Sequence, residues 1–294
     1  MNNNYQKIRD WLHQHPRLNP KSFTFDRAYR TLTNRWRLYP DFIIIGYHKT
    51  ATTFLYEYLS NHPNIGKSSK KEVHFFDYSY WRGIGWYKAQ FPLNKTKGKF
   101  EKESKKFKTG EATPLYSFHP KAAKRIKELV PKVKLIVVLR NPIDRAYSHY
   151  QHKKRVGLEH QSFEDAIKED DIRFKKIMKD FENDNIRDYD VNNTLFPYVS
   201  MGKYVLDLKK WMEIFPKEQF LILKTEEINQ NPERELNKIC NFIEIPTMDF
   251  KNTKKKNVGE YSTMLPETRM KLSKIYEQHN KELEEFLGIK MEWD

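Results

Sequence analysis

The segment GYHKTATT, residues 46–53, places one lysine and three threonines directly behind the apolar run FIIIG. A strand that ends in such a loop and continues into a helix presents free backbone N–H groups and the positive end of a helix dipole, which together hold phosphate-like anions. Lys49 adds a full charge, and Thr50, Thr52 and Thr53 add hydroxyl donors. The nucleotide-binding pattern G-x-x-x-x-G-K-[ST] does not fit, because Gly46 is followed by Tyr47 and His48, no second glycine occurs, and Lys49 arrives early. No Walker-B acid or metal-ligand spacing stands out, so no metal is expected. A second run, LRNPIDRAYSHY, follows the strand-like KVKLIVV. Arg140 ends that strand, where an unpaired charge is costly, so it requires an anionic partner. Ser148 lies eight residues on, about two helical turns into the next helix. One ligand carrying a 5′-phosphoryl group and a 3′-phosphate would satisfy both runs.

These residues need elements to position them. Residues 41–45 read as a buried strand, and a helix is expected from about Thr52 to Asn61, stopped by Pro63. The unbroken apolar run KLIVVL has the pattern of a parallel strand covered on both faces. Asn141-Pro142 opens a helix, with proline suited to the first turn. Further helices are expected near 203–215 and from Pro266, where Leu272, Ile275, Leu283, Phe286 and Leu287 form a stripe. Strands alternating with helices predict a three-layer α/β sandwich around a central, mostly parallel sheet. Ligands in such sheets bind at the carboxyl ends of the strands, so the two anion runs should meet there. Residues 40–294 are expected to form a single domain, with the polar stretch 168–194 an insertion or lid. Residues 1–39 read as a basic arm that packs Trp36 and shows Arg27, Arg30, Arg35 and Arg37 to water.

The composition agrees with a folded, polyanion-seeking protein. The 294 residues are 38% hydrophobic, 14% aromatic and 32% charged, with a formal net charge of +15. Such a surface suits nucleic acid, acidic glycans, phosphorylated cofactors or an anionic membrane face. The one cysteine, Cys240, sits in an apolar helical pattern and reads as core. The first forty residues hold no signal-like apolar core, and FIII and LIVVL are too short to span a bilayer. A soluble, cytoplasmic protein without a transmembrane segment is expected, with peripheral membrane contact by the arm left open. A nucleic-acid-binding protein would explain the charge but not the two strand-end anion runs. A nucleotide kinase would need the Walker pattern that is broken here.

Several segments in order give a resemblance. FIIIGYHKTATTFLYEYLSNHP and LIVVLRNPIDRAYSHYQH resemble the 5′-phosphosulfate loop and the 3′-phosphate motif of sulfotransferases that use 3′-phosphoadenosine 5′-phosphosulfate (PAPS). KKEVHFFD, WYKAQFP, GEATPLY and LGIKMEW are most similar to the heparan sulfate glucosaminyl sulfotransferases and their bacterial relatives. The resemblance covers residues 40–294 and implies a P-loop-NTPase-like sulfotransferase fold. It also implies transfer of a sulfuryl group to a hydroxyl or amine of a carbohydrate or other hydroxylated metabolite, with PAPS as donor and no nucleic-acid partner. By position, Lys49 would touch the phosphosulfate, with Thr50, Ala51, Thr52 and Thr53 completing the loop. Arg140 and Ser148 would hold the 3′-phosphate, Glu72 would be the base, and His74 would orient Glu72 or the sulfuryl oxygens. Lys256, Asn257, Val258 and Gly259 fall where the family has a second cofactor loop, and there the glucosaminyl enzymes favour Lys-Gly-Arg. Ala112 stands where those enzymes often carry a lysine, which sets this chain apart from a heparan-type acceptor site.

Overall fold

The computed structural model describes residues 25–186, 194, 196–250 and 263–293. Five strands form one sheet: β1 (Phe42–Gly46), β2 (Ile65–Lys67), β3 (Lys108–Ala112), β4 (Lys134–Leu139) and β5 (Phe220–Lys224). Their order is β2-β3-β1-β4-β5, and every pair is parallel. Because β1 and β4 have no polar alternation, both faces of each must be covered. Phe42, Ile44, Ile136 and Val138 pack against the helices Thr52–Leu59 and Pro232–Phe242. Ile43, Ile45, Leu135, Val137 and Leu139 face the helices Ala122–Leu129, Tyr204–Ile214 and Pro266–Leu287. The result is the three-layer sandwich expected from the sequence. Cys240 lies in the first of these clusters, and burial pushes its thiol up to about 11, as fits a core residue.

The register fixes where the chemistry sits. Gly46 pairs with Val138, so β1 and β4 end side by side. The chain leaves β1 towards β2 on one side and leaves β4 towards β5 on the other. This divergence opens a crevice at the carboxyl ends, the usual ligand position in such sheets.

Two segments differ from the sequence reading. The stretch 168–194 begins as a helix, Asp170–Glu182, in which Phe174, Ile177, Met178 and Phe181 recur with helical spacing and join the core. The charged residues between them mask the stripe in the sequence. In the basic arm, the helix Phe25–Leu32 buries no side chain. Trp36 is 51% exposed under the Arg35 guanidinium, while Arg37 is the packed residue. Its Nη1 donates to the Phe91 carbonyl at 2.7 Å and its Nε to Thr33 Oγ1 at 3.0 Å.

Candidate active site

The loop after β1 is built to leave donors free. A Cβ on Gly46 would lie 2.9 Å from the Val138 carbonyl oxygen, so only glycine lets the two strand ends approach this closely. Lys49 and Ala51 both take left-handed backbone, with φ of 73° and 61°. The Thr50 hydroxyl, fully buried, donates to the Tyr47 carbonyl at 2.8 Å. Thr50 therefore closes the loop on itself and leaves its backbone to a ligand. The Tyr47 hydroxyl donates to Asp207 Oδ2 at 3.0 Å and ties the loop to the helix Tyr204–Ile214. Burial pushes Asp207 up to about 7. Among the described residues the helix Thr52–Leu59 has no side-chain cap at its start, which suits its first N–H groups to an anion.

The second run arrives where it should. Arg140 follows β4 directly, and its Nη1 donates to the Lys49 carbonyl at 3.2 Å. Asn141 Oδ1 caps the helix Pro142–Arg155 by accepting from Ile143 N at 3.0 Å. Ser148 is buried in that helix, with His152 and Arg155 one and two turns further along the same face. Burial lowers the pKa of Lys49, and Arg155, Arg140 and Lys71 lower it further. Several cations thus crowd one crevice. That is the surplus charge a doubly phosphorylated ligand would neutralise, so the residues present fit the donor implied by the resemblance.

A row of three hydrogen-bonded ionisable groups stands beside the crevice. Glu72 Oε2 accepts from His74 Nε2 at 3.2 Å, and Asp77 Oδ2 accepts from His74 Nδ1 at 2.7 Å. Burial opposes charge on the His74 ring, but Asp77 and Glu72 prevail and raise it to about 10. The ring is therefore an imidazolium held between two carboxylates. Burial pushes Glu72 up, but His74 and Lys71 outweigh it and hold the carboxyl at about 2. Lys71 joins the two halves of the site: its Nζ donates to Thr53 Oγ1 at 2.5 Å and pairs with Glu72 Oε1 at 2.7 Å.

Sequence reasoning brought Lys49, Thr53, Glu72, His74 and Arg140 to one place. It missed Lys71, although that residue directly precedes Glu72. Asp77 is absent from the expected site residues; besides holding His74, it accepts from Tyr78 N at 2.7 Å with its other oxygen. It missed Arg155, which the i, i+4, i+7 spacing of Ser148, His152 and Arg155 could have shown. It also missed His48, whose ring stacks on His149 with centroids 4.9 Å apart and is lowered by burial to about 3. Lys256, Asn257, Val258 and Gly259 lie outside the described residues. Ala112 is fully buried at the end of β3.

A parallel α/β sheet with a cation-lined crevice at its switch point and a carboxylate–histidine cluster beside it suits a group-transfer enzyme. The chain belongs to the sulfotransferase family: residues 39–284 match the Sulfotransferase domain. It is 28% identical to the membrane-associated sulfotransferase kil1 of Dictyostelium discoideum, over 86% of this chain and 66% of that protein. It is 29% identical to the bifunctional heparan sulfate N-deacetylase/N-sulfotransferase 1 of Caenorhabditis elegans, over 84% of this chain and 30% of that protein. The chain thus spans less than two thirds of either relative. A sulfotransferase from Alicyclobacillus acidocaldarius shares the fold, with a TM-score of 0.66 and 25% identity over 86% of this chain and 98% of that one. These relatives correct one expectation. A cytoplasmic location does not stand beside a relative that is membrane-associated. The short apolar runs of the sequence speak only to spanning: no described helix is long and apolar enough to cross a membrane.

Proposed function

We propose that this chain transfers the sulfuryl group of PAPS to a hydroxyl or amine of a carbohydrate or other hydroxylated acceptor, leaving adenosine 3′,5′-bisphosphate. The observation that carries this reading is the bridge made by Lys71, which links the anion cradle to the relay in a single site. Bound PAPS would supply a sulfuryl group whose bond to the 5′-phosphate oxygen breaks as the acceptor bonds to sulfur. Lys49, the backbone of Thr50, Ala51 and Thr52, and Thr53 would hold its 5′ end; Arg140 and Ser148 would hold its 3′-phosphate. Lys49 would stabilise the negative charge that grows on the departing oxygen, and preorganised charge of this kind is a large part of catalysis. Glu72 takes the acceptor proton. His74 fixes the Glu72 carboxylate by its Nε2 hydrogen bond, and Asp77 holds the His74 ring through Nδ1.

The low pKa of Glu72 makes it a weak base in the free protein. An anion in the cradle draws Lys71 away from Glu72, and loss of that pair raises the basicity of Glu72. The base is strengthened when donor is present. The family resemblance supports a glycan acceptor, and the +15 charge is compatible with an acidic one.

The deciding experiment is calorimetric titration with adenosine 3′,5′-bisphosphate beside 5′-AMP and magnesium-ATP. Selective binding of the bisphosphate is expected. A preference for magnesium-ATP, or no binding at all, would overturn the reading.

A further inference from the structure

Glu111 occupies the penultimate position of β3 and is fully buried. Its recorded partners are hydroxyls. Tyr87 donates to Oε1 at 2.7 Å, Thr113 donates to Oε2 at 2.7 Å, and Tyr116 lies 3.4 Å from both oxygens. A hydroxyl has one proton and two acceptor sites. Once Thr113 and Tyr116 give their protons to Glu111, their lone pairs are free to face other donors. Those donors are four consecutive backbone amides. Val73 N and His74 N point at Thr113 Oγ1, at 3.2 and 3.4 Å. Phe75 N and Phe76 N point at the Tyr116 oxygen, at 2.8 and 3.4 Å. His74 has left-handed backbone, with φ of 56°, so this stretch is neither helix nor strand. Its buried amides depend on side chains for their hydrogen bonds.

We infer that Glu111 is a positioning residue for the relay: its carboxylate orients two hydroxyls, which hold the 73–76 backbone and so align Glu72, His74 and Asp77. This role rests on the proposed function for its catalytic meaning and on hydrogen bonding alone for its structural content. Burial pushes Glu111 up to about 7, against the hydrogen bonds from Thr113 and Tyr87. The three hydroxyls suit an ionised carboxylate, which accepts and never donates. Glutamine has nearly the same shape but turns an N–H donor towards one of them, and that hydroxyl must redirect its proton.

The test is amide hydrogen exchange by NMR on the full chain, comparing wild type with Glu111→Gln. The expected result is exchange of Val73–Phe76 amides faster by about tenfold to a hundredfold, with the β4 amides unchanged. The imidazole ¹⁵N signals of His74 should also move, which a general loss of stability would not cause. Protection at 73–76 equal to wild type, or lost in step with β4, would overturn the role. Should Glu111→Gln fail to fold, Thr113→Val cuts one link only. Val73 and His74 should then lose protection while Phe75 and Phe76 keep it, and equal protection at all four would overturn the role. Titrating the same samples with adenosine 3′,5′-bisphosphate separates the two ideas. Wild type that does not bind defeats the functional reading, whereas unchanged 73–76 protection in the variant defeats only the role of Glu111.

Discussion

The 46–53 loop and the 72–77 loop lie side by side and solve opposite electrostatic problems. The first gathers Lys49 with Arg140, Arg155 and Lys71, and burial sharpens their mutual repulsion. Among the described residues only Lys71 of these has a carboxylate partner, Glu72. The second pairs every charge internally: Lys71 with Glu72, Glu72 with His74, and His74 with Asp77. A loop that binds an anion benefits from unmet attraction. A loop that aligns a base benefits from having none, because each satisfied partner removes a freedom of rotation. Lys71 belongs to both loops, so occupancy of one can be felt in the other.

Substitutions can break this contrast, and the largest effect is expected in the relay. Glu72→Gln should lower turnover by about 10²–10⁴-fold, the usual worth of a general base, while calorimetry shows binding of adenosine 3′,5′-bisphosphate retained and somewhat tightened, because Lys71 is released from its pair with Glu72. Near-normal turnover would remove Glu72 as the base. The cradle should show the reverse pattern. Lys49→Ala deletes a charge-assisted contact worth ~1.5–3 kcal/mol, so the bisphosphate Kd should rise by about tenfold to a hundredfold. Equal binding by wild type and variant would mean that the surplus charge serves some other anion.

The smallest effect is a pH signature. The His74 ring is raised to about 10, so its stabilising contribution is complete below about pH 6.5 and fades as the pH climbs towards 10. Asp77→Asn removes the strongest raising influence on that ring. The drop in Tm relative to wild type should be largest near pH 6 and shrink towards pH 10. A difference that stays constant across this range would show that Asp77 acts by capping Tyr78 alone.

Much of this was legible in the sequence where the signal is local. FIIIGYHKTATT and LIVVLRNP each announce a strand, a turn and a helix start within a dozen residues, and the sheet duly ends them together. What escaped is contact between segments. Lys71 and Thr53 are 18 residues apart, and nothing local links an ammonium to that hydroxyl. Asp77 was ambiguous because an acid in a turn looks the same whether it caps a backbone N–H or holds an imidazole, and here it does both. Trp36 misled because an aromatic among arginines suggests packing, whereas Arg35 covers it from outside. Thr50 reads in the sequence as a hydroxyl donor for the ligand, yet its proton goes to the Tyr47 carbonyl.

The left-handed backbone at Lys49 and Ala51 has a kinetic consequence. Residues with a Cβ are disfavoured there, and the surrounding fold imposes the conformation before any ligand is present. Encounter then needs no slow rearrangement of the loop. Stopped-flow traces for the bisphosphate should be single exponentials whose rate grows linearly with concentration, slows with added salt and shows no plateau. The receptor is set at the moment of folding, and what remains for the ligand is diffusion in a field.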